Sequence, residues 1–356
     1  MAFDWNRGDL TYVLHAYKVN PKTLGGITGE LTGVQGGKLS LDYYSDTKAS
    51  ATLETANAGD DGWDGTSAIR LIYEVFDSNR EHTYEGVLFT GYVKGLDIND
   101  DKGMKVKKYD LGSALWALSE DYVDGYVLPT GRPILYAIND LLWKKGGRAN
   151  AVEPGTKDAV ARGVKFYDPG TSVLSILYDL CDIGNMQPVM LEGGTISIGN
   201  YTKPSDRGAD FDAGNDSTRG NVIPPIKTSD AMVELSSSAL VYSKKNDLFV
   251  TGRAERTGNR AAAAVRGYRK VEKNNVNELN PFTSAQAAAV ARQMLDKDVA
   301  EMEMSHGLMF RPLTVGAIER FWQGNRATKW LIKSADLDMG VGAWTWDLDL
   351  KGGWQL

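Results

Sequence analysis

Lys38-Leu39-Ser40-Leu41-Asp42-Tyr43 alternates polar and apolar side chains, and the same two-residue period resumes at Ala49-Ser50-Ala51-Thr52-Leu53-Glu54 after a polar break. Successive side chains of a β-strand point to opposite faces of a sheet, so this period predicts two strands that each bury one face. The alternation continues over 69–76 and 84–93, with a turn-like polar cluster at 77–80 between them. The first hundred residues are therefore predicted to form a small barrel or sandwich.

The apolar period changes from two to about 3.6 residues near Asp110, which we expect to cap the first of three helices. The second helix begins at Arg132-Pro133, the third begins near 168–171, and they end at Gly146 and Gly184. The apolar positions of the three helices are Leu111, Leu115, Leu118 and Tyr122, then Ile134, Ala137, Ile138, Leu141 and Leu142, then Val173, Leu174, Ile176, Leu177 and Leu180. Three helices in so short a stretch predict a separate module.

A β-hairpin is predicted after the helices, with strands at 187–191 and 195–199. Residues 202–230 are rich in Lys, Pro, Ser, Asp, Gly and Asn, which favours a connector or a long loop. An alanine-rich helix with capping-box spacing at Thr283-x-x-Gln286 follows later. Predicted strands surround this helix, at 239–242, 248–252, 307–310, 327–334 and 343–350.

The order of these elements predicts an α+β fold that is mostly β, with a β-barrel domain at each end of the chain and a helical module between them. We predict a first β-barrel domain at 1–107, a helical module with a β-hairpin at 108–204, a connector at 205–235, and a second β-barrel domain with an inserted helix at 236–356.

Composition limits the classes of function. The 356 residues include 40 Lys and Arg against 46 Asp and Glu, for a net charge of −6, which argues against broad sequence-independent binding of nucleic acid. No stretch approaches the roughly 18 apolar residues that span a bilayer. The N-terminus lacks the basic start and apolar run of a secretory signal peptide, so we expect none.

Cys181 is the only cysteine, which excludes an intramolecular disulfide and a multi-cysteine metal site. We expect this thiol to pack as a small buried group on its helix. His15, His82 and His306 lie far apart in sequence, and none belongs to an H-E-x-x-H zinc motif. Side-chain packing must therefore hold the fold together.

Other motifs suggest chemistry, but structural interpretations are favoured. Residues 33–39 lack the first glycine and the Ser/Thr of a phosphate loop, so we predict a turn that leads into a strand. Residues 301–306 contain two carboxylates and a histidine, a set that suggests metal binding. With a single histidine, a helix end that passes into a strand is the simpler interpretation. Calcium binding is not favoured either. The acidic pair Asp179 and Asp182 and the acidic segment 97–101 both lack the glycine and the terminal glutamate of a calcium loop.

A group of tryptophans suggests a carbohydrate-binding cleft, namely Trp322, Trp330, Trp344, Trp346 and Trp354. Trp344 and Trp346 share one face of a predicted strand, where packing is the commoner role. The serines at 236–238 lack the glycines of a nucleophile elbow. We therefore predict no catalytic, cofactor-binding or metal-binding residues, and we expect no enzymatic activity.

The order of modules and several local patterns resemble the tail hub, or baseplate hub, proteins of long-tailed bacteriophages and contractile injection machines. The opening of their first barrel is similar to the segment 37–42 followed by 49–53. Their second barrel runs from a strand through an alanine-rich helix to a Pro-x-x-x-Gly turn, which the segments 247–252, 284–302 and 312–316 resemble.

The resemblance implies a structural virion protein with two tail-tube-like β-barrels per subunit. It implies a homotrimer at the tip of the tail, where six barrels join the sixfold tail tube to a threefold tip and surround part of the DNA channel. The implied neighbours are the distal tail or tail-tube protein, the tape measure protein and a central spike or fibre. DNA would pass without specific binding, assembly would occur in the host cytoplasm, and no membrane insertion is implied.

Two alternatives stay open at the level of sequence. One is a tail-associated receptor- or carbohydrate-binding protein that uses the tryptophans. The other is a cell-wall hydrolase, although the chain ends at Gly353-Trp354-Gln355-Leu356 with no room for a domain after the second barrel.

Overall fold

The computed structural model describes residues 3–5, 7, 9–57, 68–79, 81–101, 104–144, 150–214, 221–230, 237–245, 248–255, 271–275, 284–297, 302–340 and 344–355. Strands account for 56% of the structure and helices for 15%, and the large sheets are antiparallel. The predicted class, α+β and mostly β, is therefore confirmed. None of the described helices is long and apolar enough to cross a membrane.

The strands of the chain are β1 Thr11–Val19, β2 Ile27–Leu31, β3 Val34–Asp42, β4 Ala49–Asn57, β5 Ala68–Phe76, β6 His82–Asp101, β7 Met104–Gly112, β8 Tyr126–Leu128, β9 Asn150–Val152, β10 Lys165–Tyr167, β11 Met186–Met190, β12 Ile196–Asn200, β13 Phe211–Gly214, β14 Val222–Asp230, β15 Ser238–Lys245, β16 Leu248–Glu255, β17 Val271–Asn275, β18 Met302–Met309, β19 Ile318–Gln323, β20 Arg326–Asp338 and β21 Thr345–Gln355. The helices are α1 Ala114–Ser119, α2 Ile134–Lys144, α3 Val173–Gly184 and α4 Ser284–Lys297, with a 3-10 turn at Pro204–Asp206.

One hydrogen-bonded path connects most of the strands, in the order β14-β18-β21-β20-β3-β4-β7-β6-β5-β1-β2, and β19 extends it by pairing β20 and β13. The antiparallel pairing of β20 with β3 joins the strands from the two ends of the chain, with Ser334 opposite Asp42 and Asp338 opposite Lys38. The two β-rich ends therefore lie on one continuous sheet rather than on two separate sheets.

The chain divides into two compact units. The first contains 1–226, 306–350 and 355–356, and the second contains 227–305 and 351–354. The first unit holds both β-rich ends because β20 and β3 share backbone hydrogen bonds. The predicted domain boundaries at 107, 204 and 235 stay predictions.

The predicted strands of the first hundred residues are confirmed as β3, β4, β5 and β6. The sequence pattern singled out neither β1 nor β2, which continue the sheet beyond β5. The glycine-rich stretch leads into β3 as predicted, and Gly33 has a φ of 70°, a left-handed conformation that glycine adopts without strain.

The predicted cap of the first helix at Asp110 is wrong. β7 continues to Gly112 because it pairs with β4 on one side and with β6 on the other, so Leu111 lies in a strand. Ser113 is the actual N-cap, and its side chain accepts a hydrogen bond from the backbone N–H of Trp116. Backbone pairing on both edges of β7 outweighs the helical spacing of the apolar residues.

The helical module shares an apolar core with the first sheet, because its buried cluster also contains Val19 of β1 and Ala68 of β5. Every predicted apolar position of α2 and α3 is buried, together with Leu115 and Leu118 of α1. Ser172 caps α3 at its start, and Asn185 in left-handed conformation ends it one residue after the predicted stop at Gly184. The end predicted for α2 at Gly146 lies outside the described residues. The predicted hairpin is confirmed as β11 and β12, which pair in antiparallel register.

The interpretation of 202–230 as a connector or a long loop is wrong, because this stretch contains β13 and β14. β13 pairs in parallel with β19, and Asp212 lies opposite Arg320, more than 100 residues later in the chain. The guanidinium of Arg320 donates to both carboxylate oxygens of Asp212. Polar composition predicted a loop, but distant partners satisfy the backbone groups of these strands.

The second unit contains α4 with β15, β16 and β17, which confirms the predicted alanine-rich helix and the strands before it. Its apolar cluster consists of small residues, namely Ala239, Val241, Ala254, Ala287 and Ala291. Gly252 permits the close packing, since a Cβ there would lie 2.1 Å from the backbone nitrogen of Ala288. Thr283, the predicted cap, lies outside the described residues.

Ser113→Ala should destabilise the protein more than Asp110→Ala. The hydroxyl of Ser113 accepts from Trp116 and donates to the carbonyl of Thr47 at 2.6 Å, and the residue is fully buried. We expect a loss of about 1–3 kcal/mol in the free energy of unfolding. Asp110 is exposed, and its ion pair with Lys94 contributes about 0–1 kcal/mol. Urea denaturation followed by circular dichroism measures both, and a larger loss in Asp110→Ala would contradict the assigned cap.

Candidate functional site

The candidate functional site is a row of aspartates on the exposed side of the sheet where β21, β20 and β3 run side by side. We name these residues the acidic face: Asp42, Asp336, Asp338, Asp347 and Asp349. They alternate with buried side chains on the opposite side of the same strands, namely Leu39, Leu41, Ala335, Leu337, Leu348 and Leu350. The buried residues fix the orientation of the strands, so the carboxylates must point outward.

Strand register brings these carboxylates together. Asp336 lies opposite Ser40, whose hydroxyl donates to its Oδ1 at 2.5 Å. Ser334 donates to Oδ2 of Asp349 at 3.2 Å, which places β20 and β21 side chains on the same side of the sheet. Within the described part of the chain, none of these aspartates has a Lys or Arg at ion-pair distance.

Further along the same side of the sheet the carboxylates are neutralised. Lys108 lies 3.6 Å from Glu54, and Lys94 lies 3.3 Å from Asp110. Lys38 lies opposite Asp338 in the β3–β20 pairing, and Lys48 interacts electrostatically with Asp42, so the least compensated carboxylates of the acidic face are those of Asp336, Asp347 and Asp349. Such a surface repels phosphate groups over roughly 8 Å at physiological ionic strength, the distance over which salt screens charges.

The acidic face was not predicted from the sequence. The signal is present as two Asp-Leu-Asp patterns, at 336–338 and 347–349. Each pattern places two carboxylates on one face of a strand and a leucine on the other. Only strand pairing shows that the two patterns and Asp42 belong to the same surface.

A buried charged pair lies in the C-terminal strands. Nε2 of His306 in β18 is 3.0 Å from Oε1 of Glu319 in β19, and both side chains are fully excluded from solvent. Nδ1 of His306 lies 3.0 Å from the carbonyl oxygen of Gly307 and donates to it. His306 belongs to the segment 301–306, where the predicted passage into a strand is confirmed from Met302 onward. Glu301 lies outside the described residues.

Burial lowers the pKa of His306, but the hydrogen bond and the charge of Glu319, with the carbonyl of Gly307, more than compensate, so the pKa is raised above its usual value. The imidazolium form is therefore favoured in the folded protein. A buried ion pair of this kind is costly to break, because either partner alone is left as an uncompensated charge.

The other motifs of the sequence have structural surroundings. Asp179 accepts from the hydroxyl of Tyr167 and lies 2.5 Å from Lys165, whereas Asp182 is exposed. The segment 97–101 belongs to β6 and pairs with β7. Cys181 is buried as predicted, and burial raises the pKa of its thiol to about 12.

The tryptophans that suggested a carbohydrate cleft are largely buried. Trp346 is 0% exposed, Trp344 is 2% exposed and Trp330 is 4% exposed, so their rings cannot stack on a sugar. Trp344 and Trp346 both contact the ring of Phe310, as predicted for packing. Of the serines at 236–238, Ser237 and Ser238 are buried, and Ser236 lies outside the described residues.

Comparison with known sequences finds no matching protein-family model and no matching curated protein. Comparison with solved structures gives matches along nearly the whole chain. A tail protein from Neisseria meningitidis MC58 has a TM-score of 0.63 at 13% identity, and the match covers 96% of each chain. The 43 kDa tail protein of prophage MuSo2 from Shewanella oneidensis has a TM-score of 0.64 at 11% identity, covering 95% of this chain and 97% of that one.

A third similar structure is the E. coli c3393 protein, described as a type VI secretion component with similarity to the bacteriophage T4 tail proteins gp27 and gp5. Its TM-score is 0.51 at 7% identity, covering 91% of this chain and 76% of that one. The chain therefore has the fold of phage tail proteins. The likeness to tail and baseplate hub proteins predicted from the sequence is confirmed at the level of the fold.

The buried pair makes stability depend on pH. Because the folded pKa of His306 is raised above the unfolded value of about 6.5, the contribution of the pair is fully present below pH 6.5 and is lost as pH rises through the folded value. Glu319→Leu alone should cost about 3–5 kcal/mol, since it leaves a buried charge unpaired.

The control is the double variant His306→Leu/Glu319→Leu, which removes both charges and should lose the decline in stability above about pH 6.5. Urea unfolding at several pH values measures the difference. An identical pH profile in the double variant and the unaltered protein would show that the pair does not carry this dependence.

Proposed function

We propose that this chain is a structural protein of a phage tail, and that it forms the hub at the tip of the tail. The observation that carries the proposal is a fold shared over more than 90% of the chain with two phage tail proteins and with a protein described as similar to gp27 and gp5. The pairing of β20 with β3 supports it, because it sets strands from both ends of the chain edge to edge.

In this proposal three copies assemble around a threefold axis. Each copy contributes two groups of strands, so a trimer presents six similar edges to a sixfold tail tube. The proposed neighbours are the distal tail or tail-tube protein, the tape measure protein and a central spike or fibre. Assembly takes place in the host cytoplasm, before the hub becomes part of the virion tail tip, and it involves no membrane insertion.

The acidic face gives the proposal a local function. We assign it to the wall of the DNA channel, where the excess of carboxylates over cations keeps the phosphates of the passing DNA at a distance. DNA then moves past this wall without specific binding. We propose no catalytic activity for the chain, and clearing of cell-wall material in a zymogram would contradict this.

We expect the chain to form trimers either in solution or when it is mixed with the tail tube. Mass photometry of the purified chain, alone and mixed with the tail-tube protein of the same phage, should show particles of three copies or rings that contain three copies. A chain that stays monomeric at micromolar concentration, and that adds no density to the end of the tube in electron micrographs, would overturn the hub assignment.

The position of the acidic face can be tested by labelling. Because the single native cysteine, Cys181, is buried, Asp347→Cys provides one reactive thiol for a gold-labelled maleimide. Electron microscopy of hubs assembled on tail tubes should place this label next to the central channel.

The matched control is Glu120→Cys, an exposed carboxylate at the end of α1 in the helical module. Its label is expected away from the channel. A label on Asp347→Cys at the outer surface of the ring would contradict the channel assignment. The hub role would then still be tested separately, by mass photometry.

A further inference from the structure

Two histidines that are remote in sequence meet a group of glutamates on the exposed side of the N-terminal strands. His82 and Glu85 belong to β6, and Glu74 belongs to the neighbouring β5. Their ligand atoms, one imidazole nitrogen and two carboxylate oxygens, all lie within 4.8 Å of one another. His15 in β1 lies on the other side of Glu74, with Nε2 3.2 Å from its Oε2.

Strand register places two negatively charged side chains of this group directly opposite each other. Glu74 and Glu85 are direct partners across the β5–β6 pairing. Like charges directly opposite each other destabilise a sheet, and a cation between them would remove this repulsion by Coulomb attraction to both. Among the described residues, no Lys or Arg lies within ion-pair distance of either carboxylate. The negative potential extends to Tyr17, whose pKa is raised by burial and then by Glu30, Glu74 and Glu85.

The surroundings restrict the positions of the ligands. The imidazole of His82 packs edge-on against Phe76, with ring centroids 5.8 Å apart. Glu74 is 28% exposed, and its Oε2 lies 3.2 Å from Nε2 of His15 without a hydrogen bond between them. Nδ1 of His15 lies 3.6 Å from Glu30 on the other side.

From this convergence we propose that Glu74, His82 and Glu85 bind a divalent transition-metal ion such as Zn²⁺. One imidazole nitrogen and two carboxylate oxygens suit Zn²⁺, and solvent completes its coordination. Bridging β5 and β6, the ion neutralises the opposed glutamates and fixes the end of the hairpin. This site lies on different strands from the acidic face and does not depend on a role in a phage tail.

The test uses the untagged full chain, stripped with a chelator and dialysed, in isothermal titration with zinc chloride. We expect one site with a dissociation constant in the micromolar range. His82→Ala and Glu85→Gln should each weaken binding at least tenfold. The matched control is Glu81→Gln, which removes an exposed carboxylate next to His82 but outside the cluster, and should change the affinity less than twofold.

Thermal melting gives a second readout that also checks the folding of each variant. Zn²⁺ should raise the melting temperature of the unaltered chain and leave that of Glu85→Gln unchanged. Without metal, Glu85→Gln should melt at the same temperature as the unaltered chain or higher, because it removes the opposed charge. The proposal is overturned if no zinc binds at millimolar concentration, or if His82→Ala and Glu85→Gln bind it as tightly as the unaltered chain.

Discussion

The antiparallel pairing of β3 with β20 is the constraint on which the rest of the structure depends. It joins segments that are far apart in the chain, as the hydrogen bond between Ser40 and Asp336 shows across 296 residues. Because each strand in this pairing has a buried and an exposed side, a shift of one residue would turn the leucines outward and the aspartates inward. The register therefore decides both the core and the exposed surface of this region.

Charge is distributed very differently on the two sides of this fold. On the exposed side, the aspartates around Asp336 outnumber the nearby cations Lys38 and Lys48, so this surface repels any anion that approaches. Inside the C-terminal strands, Glu319 is fully buried and forms an ion pair with His306. Burial demands a partner for a charge, whereas exposure allows many like charges to gather on one surface.

The errors of the sequence-based predictions share a physical origin. Aspartate is a common N-cap residue, yet β7 continues past Asp110 because it pairs with β4 on one side and with β6 on the other. Residues 202–230 have the composition of a loop, yet β13 pairs with β19, which lies about 100 residues later. Local composition indicates the secondary structure that a segment favours in isolation. Backbone pairing with distant strands can override that preference. The tryptophans were assigned correctly to packing because alternation already placed Trp344 and Trp346 on one face.

The sequence by itself determined the fold class, most of the strands, the apolar positions of α2 and α3 and the burial of Cys181, because periodicity is a local property of the chain. The likeness to tail hubs came from the resemblance of module order and local patterns. Tertiary structure decided the joining of the two β-rich ends, the acidic face, the pairing of His306 with Glu319, and the meeting of His82 with Glu74. Each of these requires strands that are distant in the sequence or held in one register. Backbone hydrogen bonds between strands supply that register, and no local pattern encodes which strand will be the partner.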